Sequence, residues 1–447
     1  MRARRGSLKA LRMQFHILAF EGPDPYSRAG GLATRVDGLA HTFAALGFET
    51  HLWFVGDPDL PGHEVRGSLH LHRWAQWVSR HHPGGVYDGE HGKRAEYART
   101  VPPHLHAEWL RPHLASGGRA VVLAEEWHTV DAIFHVDWLL RAEGLRDRVA
   151  LLWNANNTFG FESIDWRRLG ETARITTVSR YMKQRMWPLG VDPLVVPNGL
   201  PADAFDVPDR AGSDELRRRF RDRTVFVKMA RFDPDKRWLA AVRAVASMKR
   251  MGWRPLLVAR GGSEPHGRDV LESIRSEGLV SVERDWREPG PAGLLAALRD
   301  LDAADVVMVR SHVAPEERRL LFRGAHAVLA NSAHEPFGLV GLEAMAAGGI
   351  ACTGATGEDY AVPGRNAVVL ETEDPRELVG WLARLRAHPA EARAMRRAGR
   401  STARLFAWPE VVERVLIPRA ELLIERRPSL PLRVPETAGG SWGVKAG

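Results

Sequence analysis

At 447 residues the chain is too long for one compact core, and its 44% hydrophobic and 26% charged residues are ordinary for a globular protein in water, so two domains are predicted. No run of about eighteen apolar residues occurs, which excludes a spanning helix. The single cysteine, Cys352, excludes an internal disulfide framework and fits a reducing cytosol. The formal charge of +8 comes from arginines spread along the chain, with no zinc-finger or RNA-binding signature beside them. A nucleic-acid partner is therefore not expected. Anionic small molecules, acidic glycans or the inner membrane surface, through a peripheral contact, would gain equally from such a field.

Residues 1–12 begin with the basic Met1 to Gly6 and carry no apolar segment before Met13, which argues against secretion; they read as a tail or an over-long start. Gln14 to Phe20 is an apolar run typical of a buried parallel strand. A loop with Gly22, Pro23, Asp24 and Pro25 leads to Arg28-Ala29-Gly30-Gly31-Leu32. Leu32, Val36, Leu39, Phe43 and Leu46 then mark one helix face that Gly47 ends, and His51 to Val55 is the next strand. This is a Rossmann-like opening, without Gly-x-Gly-x-x-Gly itself. Gly30 and Gly31 would let a diphosphate approach the backbone closely, with a tight turn as the competing explanation. Residues 56–118 are rich in His, Pro and Gly. His70 and His72 can share a strand face, but no ligand spacing persuades and no cysteine helps, so no metal site is expected. The region reads instead as loops over a cleft that shape a pocket.

Ala120 to Ala124 reads as another buried strand, running into Glu125-Glu126-Trp127-His128-Thr129. That places His128 at a strand's carboxyl end, where open α/β sheets bind ligands, while Glu125 or Glu126 can serve as helix-start charge. Val149 to Asn154 is a strand ending in Asn154-Ala155-Asn156-Asn157-Thr158, where the amides either recognise hydroxyls or serve turn geometry. Arg174 to Ser179 is a further strand with Ser179 as helix cap, and Val195 to Leu200 closes the domain.

Past a charged connection, Thr224 to Ala230 opens the second domain and leads to Arg231 and Lys236. Cations five apart in a strand-to-helix loop can put both heads on one diphosphate; solvated surface charges are the alternative. Leu256 to Ala259 ends in a glycine turn at Gly261 and Gly262, and residues 263–304 look long and polar for a connection. Ala325 to Ala330 is a short strand and Ser332 to Glu335 a polar loop. A helix is predicted from Phe337, with Pro336 in its first turn and Gly338 opening the unpaired N–H groups to a ligand. Glu335 and Glu343, the latter about two turns in, would flank a phosphate-sized hole; this suits an anionic ligand that also carries hydroxyls. Cys352 reads as a buried spacer on the next strand. Residues 376–404 should be helical with a break near Pro389, and a last helix should run from Phe406 to about Glu425. The predicted units are 13–205, 206–405, the helix 406–427 and a flexible tail 428–447.

The phrase from Ser332 through Glu335-Pro336-Phe337-Gly338-Leu339 to Glu343-Ala344-Met345-Ala346 and Gly348 resembles the donor-site signature of retaining GT-B glycosyltransferases of the family 4 and glycogen (starch) synthase type. Arg28 to Leu32 is similar to that group's Lys-x-Gly-Gly-Leu loop, with arginine for lysine. Glu126-Trp127-His128 is similar to its Asp-Trp-His, and Arg231 with Lys236 to its Gly-Arg and Lys phrase, with Ala230 for glycine. The resemblance implies two Rossmann-like β/α/β domains facing across a cleft, with the C-terminal helix crossing back onto the first. It implies that His128 and Glu335 orient a donor sugar near C1, that Arg231 and Lys236 neutralise the departing diphosphate, and that Glu343 holds the ribose hydroxyls. Arg28, Gly30, Gly31, Gly261, Phe337, Gly338 and Leu339 would line the donor, and Asn154, Asn156 and Asn157 the acceptor. The implied activity is cytoplasmic transfer of a hexose, glucose favoured, from an ADP- or UDP-sugar to a glycan or other hydroxyl acceptor. Retention by front-face substitution is implied, with no cofactor and no metal. Competing readings are a metal-dependent transferase using an Asp-x-Asp such as Asp233 and Asp235, a glycosyl phosphorylase or epimerase of the same fold, and a catalytically silent glycan-binding protein.

Overall fold

The computed structural model describes residues 12–206 and 209–425; the tails expected at either end lie almost wholly outside the described residues. Strands Met13–Leu18 (β1), Glu49–Val55 (β2), His63–Arg66 (β3), Leu69–Trp74 (β4), Arg119–Glu125 (β5), Val149–Ala155 (β6), Arg174–Thr177 (β7) and Leu194–Val195 (β8) form one sheet in the order β3-β4-β2-β1-β5-β6-β7-β8. Only β3 runs antiparallel, on the edge. β1 and β6 are buried along their whole length, as expected of apolar runs covered by helices on both faces. The second sheet has Thr224–Met229 (β9), Pro255–Arg260 (β10), Ser281–Arg284 (β11), Val306–Val309 (β12), Ala327–Ala330 (β13), Ala351–Thr353 (β14) and Val368–Val369 (β15), in the order β11-β12-β10-β9-β13-β14-β15 and all parallel. In each sheet the strand order reverses beside its first strand, between β1 and β5 and between β9 and β13. Such switch points open a crevice outside the strands' carboxyl ends.

Several local expectations are corrected. Residues 56–118 are not mainly loops: they supply β3, β4 and the Glu90–Leu105 helix. Residues 263–304 contain the Gly267–Ser276 helix, β11 and the Pro291–Ala297 helix. The helix predicted from Phe337 spans Leu339–Ala346, so Pro336 stands outside it and Glu343 is just over one turn in. Gly338 holds φ +80°, a left-handed conformation that a helix cannot continue through.

The last segment does cross back. Trp408–Val411, Val412–Leu416 and Ile417–Glu425 run on from one another, and Val411, Val412, Leu416 and Ala420 join Phe15, Leu39 and Phe43 in the first domain's core. Trp408 enters by lying against two glycines: a Cβ on Gly38 would sit 2.0 Å from its indole nitrogen, and one on Gly199 2.4 Å from its ring. Many arginines are absorbed by backbone carbonyls. Arg223 donates to the carbonyls of Leu301, Pro255 and Ala304, and Arg396 to those of Arg323, Gly348 and Ala325. At these positions the positive charge closes loops and helix ends. No helix among the described residues is long and apolar enough to cross a membrane.

Candidate active site

At the carboxyl end of β9 the chain turns through Pro234–Lys236, with the Asp233 carboxylate accepting the Asp235 N–H at 2.9 Å. This turn is stitched to the loop after β13 by Ala333 N–H donating to the Asp235 carbonyl at 2.7 Å. Across that seam Lys236 Nζ lies 2.6 Å from Glu335 Oε2, the same oxygen that accepts from Ser332 Oγ at 2.8 Å. Glu335 N–H donates to Thr356 Oγ1 at 3.0 Å. Both charged side chains keep 21% of their surface open, so a ligand can reach the pair. Arg231, in the same loop, is exposed. Beneath lies Lys228, buried, donating to Asn331 Oδ1 at 2.9 Å; burial, then the charges of Lys236 and Arg237, brings its ammonium down to about 7.

Gly338 closes this loop. A Cβ there would meet Glu358 Cγ at 2.6 Å, and the Tyr360 hydroxyl donates to the Gly338 carbonyl. Glu358 is buried, and burial followed by the nearby Glu335 charge pushes its carboxyl up to about 7; one of its oxygens is buried without a partner. Glu343 is half-buried, 3.4 Å from Arg318, with its carboxyl raised by burial against the pull of that arginine. Two predicted donor residues also serve packing. Phe337 is buried against Tyr360 and Phe406, and Gly261 makes room for the Phe232 ring, which a Cβ would approach to 2.0 Å. Leu339 begins the helix, half-buried.

On the first domain, Gly30 and Gly31 stand at the start of the Gly31–Ala45 helix with open space around them, and Arg28 beside them is exposed. The helix entrance already holds an internal anion. Glu21 accepts from the N–H groups of Ala29, Gly30 and Ala33 at 3.2, 2.9 and 3.2 Å, and from the Tyr87 hydroxyl at 2.5 Å. His128 is stacked on Phe20 and lies tilted against Trp127, and its Nε2 lies 2.6 Å from Glu90 Oε1. Burial lowers its pKa despite Glu90, so the ring is neutral near pH 7, and Nδ1 is buried without a partner.

The asparagines divide. Asn154 and Asn156 both donate to Glu125, at 2.9 and 2.8 Å, and Glu125 is buried against Arg35 at 2.9 Å. Arg35 reaches Asn198 at 2.8 Å, so Glu125 is the centre of a structural network and not a helix-start charge. Asn157 alone remains half-exposed outside it, its side chain accepting from Phe159 N–H at 2.8 Å. Glu126 holds φ +66°, rare for a residue with a side chain, and its buried carboxyl accepts Asn156 N–H at 2.6 Å. Burial, opposed by that bond, pushes it up to about 8. The two halves touch where the Arg180–Met186 helix, just past β7, meets the loop after β14: Asp359 accepts Arg180 N–H at 2.7 Å and pairs with its guanidinium at 3.2 Å. The carboxyl ends of both sheets therefore face one cleft.

The structure thus joins Lys236 directly to Glu335 and places Arg231 in the same loop. Glu343 is tied separately to Arg318, and His128 to Glu90 on the other domain. Sequence reasoning missed Glu21, Tyr87, Glu90, Thr356 and Glu358. Their only signal is three-dimensional, because each acts on a residue at least nine positions away or through a loop fold.

Two doubly wound parallel sheets facing across a cleft, with a C-terminal helix returning to the first, make up the GT-B fold. Residues 214–402 match the family described as Glycosyl transferases group 1. The chain is 29% identical over 220 residues to a D-inositol 3-phosphate glycosyltransferase of Thermomonospora curvata, a match covering 46% of each chain. It thus spans less than half the length of such curated relatives. Its fold is similar to that of a sucrose-phosphate synthase from Thermosynechococcus elongatus, at 20% identity and TM-score 0.61, covering 92% of this chain and 99% of that one. It is also similar to an E. coli trehalose-6-phosphate protein bound with UDP-2-fluoro glucose, at 13% identity and TM-score 0.64, covering 93% and 100%.

Proposed function

We propose that the protein is a retaining hexosyltransferase that moves a hexose, glucose favoured, from an ADP- or UDP-sugar to a hydroxyl of a glycan or sugar-phosphate acceptor. The observation that carries this reading is the Lys236–Glu335 pair at 2.6 Å, partly open, at the switch point of the second sheet. An arriving diphosphate draws Lys236 and Arg231 onto its oxygens, and Glu335 is freed to accept from the sugar hydroxyls. Cationic stabilisation of the leaving group is the main catalytic contribution. Glu343 takes the ribose hydroxyls, and neutral His128 offers its unpartnered Nδ1 to the donor sugar. The departing phosphate oxygen accepts the acceptor's proton as the new bond forms on the same face, and no metal ion or cofactor takes part. A pyridoxal-type phosphorylase is disfavoured, because it needs a Schiff-base lysine and lysines are few in this chain. The action is cytoplasmic in this reading.

The experiment is a screen of nucleotide sugars for donor hydrolysis and transfer, followed by Lys236→Met and Glu335→Ala. Each variant should lower kcat by about a hundredfold or more while the protein stays folded. Full activity in Lys236→Met, or sugar release only from glucan plus phosphate, would overturn the reading.

A further inference from the structure

Away from the cleft, one face of the first sheet carries a histidine ladder. Register puts His16 opposite His51, His51 opposite His70, and His63 opposite His72. Adjacent strands lie roughly 4.8 Å apart, so directly opposed rings must stack. They do: ring centroids are 4.6 Å apart for His16–His51, 4.5 Å for His51–His70 and 4.6 Å for His63–His72. Trp109 covers them, its ring 4.3 Å from His51 and 5.0 Å from His70. His51 and His72 are buried, His70 is half-buried and His63 exposed, so the group opens to solvent on one side.

Hydrogen bonding fixes the direction of the ladder. An indole nitrogen only donates, so Trp53 Nε1 at 3.3 Å makes His16 Nδ1 an acceptor. His16 Nε2–H then donates to Gln14 Oε1 at 2.9 Å, and the Gln14 amide donates to His51 Nε2 at 3.2 Å. His51 is left with its proton on Nδ1, pointed at His72 Nε2 at 3.0 Å. One ring nitrogen from each of His51, His70 and His72 lies within 4.8 Å of the others. Nitrogens bound to one tetrahedral zinc at about 2.0–2.1 Å are about 3.3 Å apart, so the His51–His72 spacing is close to that and the freer His70 has a short way to turn.

We propose that His51, His70 and His72 bind a divalent transition metal of the zinc type, with His63 at hand for the fourth position. The ion takes the place of the proton between His51 Nδ1 and His72 Nε2. His51 then carries its proton on Nε2, 3.4 Å from Glu49 Oε1, and the Gln14 amide gives up its bond to that nitrogen; this is the carboxylate–histidine–metal arrangement that orients such ligands. His51 and His70 lie near the starts of their strands, whereas the cleft takes the opposite ends. The metal therefore pins the edge strands β3 and β4 to β2 and does not meet the reacting bond.

The test uses the full chain purified without a polyhistidine tag, stripped with chelator and titrated with zinc sulfate by calorimetry, with cobalt(II) absorbance as a second readout. The expected result is about one equivalent per chain, a zinc-dependent rise in the thermal midpoint, and visible bands of a low-coordinate cobalt site. His70→Ala, at a half-buried position that should fold, should bind about tenfold more weakly or worse and lose the thermal shift, with sugar transfer unchanged. His81→Ala, outside the ladder, should bind as the parent does. Substoichiometric binding by the parent chain, or His70→Ala binding like the parent, would overturn the proposal.

Discussion

Glu126 shows most directly how a single residue is set by its surroundings. It sits in a left-handed conformation at the end of β5, buried, with its carboxyl pushed up to about 8. In the unfolded chain the same carboxyl titrates near 4.5. Between those values the folded state holds a proton that the unfolded state has lost. Its contribution is therefore fully present below about pH 4.5 and is lost as pH rises to about 8, at roughly 1.4 kcal/mol per pH unit for one proton. Glu126→Gln keeps the shape and never ionises. Chemical denaturation should find it near-neutral at pH 5 and stabilising relative to the parent at pH 8. An equal effect at both values would mean that Glu126 is already ionised in the fold. Lys228 works in the opposite sense: lowered to about 7, it withdraws stability as pH falls from about 10.5 towards 7.

Among the elements, the returning C-terminal segment depends most on shape. Its entry residue Trp408 is buried against Gly38 in one helix and Gly199 in the closing strand phrase, and flanking backbone bonds join Leu200 to Phe406 and to Trp408 at 2.7 and 3.0 Å. A methyl at Gly38 has nowhere to go but into the indole. Gly38→Ala should destabilise by about 1–3 kcal/mol in urea unfolding. The attribution is checked in a Trp408→Ala background, where the same substitution should cost little; an undiminished cost there would show that the strain lies elsewhere. Pattern reading places this helix from Phe406, two residues before its start at Trp408, but a glycine at position 38 carries no sign of the ring that will lie on it.

For the whole molecule, the relation between the two domains matters most, because the cleft is made by both. Beyond the hinge-side pairing of Leu200 with Ala407, Asp359 clasps Arg180 across the carboxyl ends of the sheets, one residue from Glu358. Arg180 is largely exposed, so the ion pair itself contributes only about 0–1 kcal/mol. Asp359→Ala should accordingly leave the thermal midpoint nearly unchanged. It should weaken apparent nucleotide affinity by about threefold through a more open population, read by calorimetry alongside small-angle scattering. Unchanged affinity and scattering would show that the clasp does not set how open the cleft stands.

Much of this molecule was legible in one dimension. Strand–loop–helix alternation, apolar runs at β1, β5, β6 and β9, and the Glu335 to Glu343 phrase each depend on neighbours a few residues away, so local pattern carries them. The same logic separates Arg231 and Lys236 from the many other cations, since a strand-to-helix loop puts them at a sheet's carboxyl end. Only the tertiary structure decided what each polar group actually meets. It bound Asn154 and Asn156 to Glu125, put Phe337 and Gly261 to work in packing, set Glu21 in the entrance of the Gly31 helix, and turned scattered histidines into a stacked ladder. Those outcomes rest on register and on contacts between segments far apart in the chain, and short-range forces between side chains act only after the fold has brought them within reach.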